Sequence, residues 1–117
     1  VSILPARIPK KAKRESRWRS QRHCTFVRSH ACCNCGETAG IEVAHVRIGS
    51  GAGLGQKPDD HRTVSLCRDC HSLQHNLGER SFWDDYRQAK GATVNDLIDA
   101  FCKASPVARE IREARGG

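Results

Sequence analysis

Two Cys-x-x-Cys pairs, Cys32/Cys35 and Cys67/Cys70, constrain this chain more than any other feature. Each pair sets two thiolates on one tight turn, and two such turns converging on one ion make a tetrahedral sulfur cage for zinc. About thirty residues separate the pairs, which is wide for a ribbon and comfortable for a hairpin plus a loop. Cys33 offers a poorer alternative to Cys32, because Cys33-x-Cys35 leaves a single residue in the turn. The odd total of seven cysteines fits metal ligation better than disulfides, and Cys24 and Cys102 read as small buried apolar side chains. A staple of this kind matters here. With 38% hydrophobic and 5% aromatic residues in 117, the chain can build only a modest core.

Charge is distributed unevenly. Residues 1–30 carry nine Lys or Arg against one acid, a net +8, and the remainder nets −1. A basic arm on a near-neutral body is the electrostatic footprint of a polyanion binder, with Lys10, Lys11, Lys13, Arg14, Arg17 and Arg19 as candidate nucleic-acid contacts. A solvated tail that only aids solubility is the competing reading. No apolar run approaches a membrane span and no signal-peptide core is visible, so a cytoplasmic protein without membrane contact is expected.

The pattern predicts an α+β chain with an arm over residues 1–22 and a domain over 23–117. A helix is expected over 14–28, a short strand around Ile41 and Val43, and a returning strand at Thr63–Leu66. Between the strands lies the glycine-rich loop 49–55 and then Lys57-Pro58-Asp59-Asp60. A helix entered at Cys67–Cys70 should stop at Gly78. Ser81 with Asp84, and Thr93 with Asp96, resemble N-terminal caps of two further helices. Ser105-Pro106 opens a last one, so that helices fill residues 81–115. Phe82, Trp83 and Tyr86 read as core rather than as stacking platforms.

Three histidines remain to be explained. His71 and His75 are four apart, so on a helix they leave from one face and can share a cation. The strand bearing His45 would lie against that helix, which makes a hydrolytic centre conceivable. Cys67-Arg68-Asp69-Cys70-His71 also spells a haem-attachment motif. Against it stand the missing export signal and the first cysteine pair, which haem leaves without a task.

Glu42-Val43-Ala44-His45-Val46-Arg47, then Val64 through His71, then His75, resembles the HNH endonuclease motif with its zinc-binding cysteine pairs. The likeness covers residues 32–78 and is nearest to small phage and prophage members such as the recombination-enhancing phage nuclease. It implies a ββα-metal core over that stretch, bacterial or phage-encoded, acting on DNA with weak sequence preference and with a possible recombination or phage protein partner. It further implies a structural Zn²⁺ on Cys32, Cys35, Cys67 and Cys70, and His45 as general base. His71 and His75 would hold a catalytic divalent cation, Mg²⁺ or else Mn²⁺, Ni²⁺ or Zn²⁺, and Arg47 would contact the scissile phosphate or else be a solvated charge at the strand end. Two departures stand out. Ala44 occupies a position where relatives place a metal ligand, and His61 or Asp60 stands in for the central Asn. The rival reading is a zinc module that binds nucleic acid or protein without catalysis, in which His45 has no task.

Overall fold

The structure, a computed structural model, describes residues 3–9, 17–53 and 55–116. Its described residues form two strands and five helices in the order α1 (Gln21–Arg28), β1 (Ile41–His45), β2 (Thr63–Cys67), α2 (Arg68–Leu77), α3 (Glu79–Lys90), α4 (Val94–Ala104) and α5 (Ala108–Ala114). The chain is thus α+β. None of these helices is long and apolar enough to cross a membrane.

Branched Ile41 and Val43, two positions apart, favour a pleated strand. β1 and β2 pair antiparallel with Ile41 opposite Cys67, Val43 opposite Ser65 and His45 opposite Thr63. β2 is buried along its whole length, so both of its faces are covered, with α1, α2 and α4 all packed against it. A two-stranded hairpin is marginal by itself, and these helices complete it. The core includes Val27, Ala44, Val46, Val64, Leu66, Phe82, Trp83, Tyr86, Ile98 and Ile111, joined by Cys32, Cys67 and Cys70.

The setting of α2 fixes where His71 and His75 point. Cys70 and Gln74 are its buried positions, one turn apart. Gln74 Oε1 accepts the indole N–H of Trp83 at 3.0 Å inside the core, which locks the rotation of α2 against α3. His71 and His75 come one residue after Cys70 and Gln74, so they emerge about 100° further round the helix. Gly78 ends α2 at φ 87°, a conformation that side-chain-bearing residues rarely adopt.

α3 begins at Glu79, earlier than the Ser81–Asp84 pattern predicts. Gly78 has already turned the chain, and Phe82 N–H closes the first turn on Gly78 O at 3.1 Å, so Ser81 lies inside the helix. The expected cap at Thr93 is present: Thr93 and Asp96 bond reciprocally in a capping box.

α1 starts at Gln21, not Arg14, and residues 14–16 lie outside the described part. Residues 17–20 run extended because acidic groups from the 59–60 turn claim their amides. Trp18 N–H donates to Asp59 Oδ1 at 2.7 Å and Ser20 N–H to Asp60 Oδ2 at 2.8 Å, while Asp60 N–H returns a bond to Trp18 O. The end of the basic segment is therefore part of the folded body, and Trp18 packs there against the His61 ring with centroids 5.6 Å apart.

Candidate functional site

The cysteine pairs meet as the spacing requires. The sulfurs of Cys32, Cys35, Cys67 and Cys70 all lie within 4.8 Å of one another. Tetrahedral zinc with bonds of ~2.3 Å sets sulfurs about 3.8 Å apart, so the cluster fits that ion. Local backbone builds the cage: Gly36 N–H closes the first turn on Cys32 O at 3.0 Å, and Cys32 N–H bonds Glu37 O at 2.8 Å. Cys67 caps α2, its sulfur accepting the Cys70 N–H at 3.5 Å. Asn34 Nδ2 donates to Cys70 Sγ at 3.4 Å. Burial opposes ionisation of Cys32, yet backbone donors at Cys35, Cys67 and Asn34 bring its thiol down to about 7. Burial and the neighbouring sulfurs push Cys70 up to about 12, against the Asn34 bond. Cys33 stands outside it, paired with Ser65 Oγ at 3.4 Å.

The second feature is a groove of about 720 Å³, lined by His45, His71 and His75 together with Glu42, Arg28 and Lys57. Arg47, Cys24, Ile41, Val43 and the 55–58 stretch complete its wall. The His71 and His75 rings lie 4.8 Å apart, tilted by 33°. Two imidazoles on successive turns fit a two-nitrogen cation site. The three histidines do not form a three-ligand set, since the four cysteines are the one group of three or more close enough to hold an ion among the described residues. His45 therefore stands beside such a pair, not within it.

His45 is held by Asp60, whose Oδ1 lies 2.8 Å from Nε2. Burial opposes ionisation of Asp60, but the His45 bond, the Ser20 N–H and Arg19 keep its carboxyl below the usual range. A carboxylate only accepts, so His45 carries hydrogen on Nε2 and a free lone pair on Nδ1. Burial draws the His45 imidazole below 6.5, partly offset by Asp60. It is the unprotonated form that prevails at neutral pH.

Other expected residues take different places. His61 does not line the groove. It is buried beside Trp18, with Nε2 3.7 Å from Asp59 and its backbone oxygen accepting from Cys102 Sγ. Asp60 thus reaches the base, while His61 is taken up by Trp18 and Asp59. Arg47 lines the groove, but its guanidinium donates to Gln56 O and Gly53 O, both at 3.0 Å. It braces the glycine-rich loop, while Glu79 holds its backbone N–H at 2.8 Å. Arg17 and Arg19, expected to grip nucleic acid, are turned onto this same loop region. Arg17 bonds Gly51 O at 2.6 Å; Arg19 bonds Pro58 O and Lys57 O. Backbone carbonyls of residues 51–58 lie within reach of these guanidinium groups and take their hydrogens, which explains the change of role. Lys10, Lys11, Lys13 and Arg14 lie outside the described residues. Glu42, Arg28 and Lys57 were not singled out from sequence as site residues. For Lys57 the signal was its place beside Asp60 in the Lys-Pro-Asp-Asp stretch.

Acid should loosen this fold. Burial holds the imidazoles of His23, His45 and His61 below 6.5. Each then binds its proton more readily in the unfolded chain, so stability is highest above pH 6.5 and falls as pH drops from there toward the depressed folded-state values. The urea midpoint of zinc-loaded protein is expected to be lower at pH 5.5 than at pH 7.5 while zinc content stays unchanged. A midpoint flat across that interval would contradict the burial of these rings.

The model of the family described as "Protein of unknown function (DUF968)" matches residues 5–101. No curated protein and no solved structure matches the chain.

Proposed function

The chain belongs to the DUF968 family, and we propose that it is a metal-dependent endonuclease of the HNH, ββα-metal type that hydrolyses DNA phosphodiester bonds. The observation that carries this reading is one groove containing a carboxylate-backed imidazole, His45 on Asp60, beside the paired imidazoles of His71 and His75.

In this reading His45 Nδ1 takes the proton of the attacking water. Asp60 stabilises the imidazolium that forms and keeps the ring from turning. A divalent ion on His71 and His75 would supply positive charge where the phosphate and the leaving oxygen gain negative charge. Arg28 and Lys57 make the wall of the groove electropositive and attract the phosphate chain without reading bases. Arg17, Arg19 and Arg47 act indirectly, fixing the loop that carries Lys57. The zinc on the four cysteines fixes the start of α2 and with it the direction of both histidines.

The test is nicking of supercoiled plasmid by zinc-loaded protein with Mg²⁺, Mn²⁺ or Ni²⁺. Wild type should nick with at least one ion, and His75→Ala should lose most of that activity while keeping its zinc. If no DNA form is cut with any ion, the site is a binding module and the hydrolytic reading fails.

A further inference from the structure

We propose that Glu42 is a positioning residue that holds His71 in the tautomer and ring orientation needed to take a divalent ion through Nε2, an inference that rests on the hydrolytic reading of the groove. Ala44, just before His45, is fully buried in the core and has no donor atom. The strand can therefore contribute to an ion site only from elsewhere. Glu42 lies two residues back on β1, and its Oε1 is 2.9 Å from His71 Nδ1. Because a carboxylate accepts and cannot donate, this contact places the hydrogen on Nδ1 and leaves the Nε2 lone pair free. Metal-binding imidazoles are commonly held this way, by a carboxylate on the nitrogen that does not ligate.

The rest of the surroundings agrees. Glu42 makes no hydrogen bond or ion pair with any Arg or Lys among the described residues, although the chain carries 20 of them. Nor does it serve backbone amides, as Glu79 does at Arg47 and Ile48. Its side-chain partner is the ring beside His75. Glu42 is not itself a third ligand alongside His71 and His75, because among the described residues the four cysteines are the one group of three or more placed to hold an ion. Its action is on the ring.

The experiment is calorimetric titration of Mn²⁺ or Ni²⁺ into zinc-loaded wild type, Glu42→Ala and Glu42→Gln. Imidazole-nitrogen NMR of the same proteins before addition of the second ion reads the His71 tautomer. Glu42→Ala should lose about 10–100-fold in affinity for the second ion and its Nδ1–H tautomer, with zinc content and melting temperature unchanged. Glu42→Gln, whose amide oxygen accepts the same hydrogen, should recover most of both. Unchanged affinity in Glu42→Ala, or an Nε2–H tautomer in wild type, overturns the role of Glu42 while leaving the hydrolytic reading intact. A wild type that takes up no second ion overturns both.

Discussion

Cys35→Ser is expected to abolish zinc binding at the four-cysteine cluster and with it the folded state. Cys35 is the exposed member of the cluster, whereas Cys32, Cys67 and Cys70 are buried. Exposed substitutions that touch nothing special shift stability by about ±0.5 kcal/mol, so packing alone predicts almost no effect. Ligation predicts a collapse. A structural zinc site contributes on the order of 10–16 kcal/mol of binding free energy, comparable to or greater than the whole stability of a small domain, ~5–15 kcal/mol. The geometry says why so much depends on it. The cluster ties the 32–36 turn to the end of β2 and the first turn of α2, and without it only a two-stranded hairpin and short helices remain. Cys24→Ser and Cys33→Ser, outside the cluster, should keep full zinc. Zinc analysis with far-ultraviolet circular dichroism checks all three variants, and a well-folded Cys35→Ser protein with normal melting would refute the structural metal.

His45→Ala should reduce plasmid nicking by about 10²- to 10⁴-fold, the usual worth of a general base, with zinc content and DNA affinity retained. Because burial sets the His45 imidazole below 6.5, the base is already unprotonated at neutral pH. The rate should therefore fall to half its plateau only below pH 6.5. Single-turnover nicking between pH 5 and 8 measures both effects. Cleavage by His45→Ala at the wild-type rate would remove His45 from the chemistry.

How much of this was legible in the residues varied from place to place. The capping box at Thr93–Asp96 and the stop at Gly78 were readable because their geometry involves residues only a few positions apart. The helix start at Glu79 was misplaced because Gly78 turns the chain before Ser81 can act as a cap. The α1 boundary was misplaced for a different reason. Asp59 and Asp60, some forty residues away, capture the Trp18 and Ser20 amides, and no local pattern carries that competition. Between Asp60 and His61 the motif left the orienter of His45 undecided, since both stand where it would be sought. The turn alone decides which one faces the base.

What the amino-acid order determined unaided was the cluster of four cysteines, the pairing of His71 with His75 and the basic N-terminal segment. Ligand spacing on a turn and side-chain direction on a helix are local, so they survive without knowledge of the fold. The tertiary structure alone decided that Asp60 backs His45, that Glu42 meets His71, and that Arg17, Arg19 and Arg47 hold a loop instead of facing a ligand. Those contacts join residues 6 to 39 positions apart, and a guanidinium or carboxylate bonds whichever partner the folded chain brings within about 3 Å.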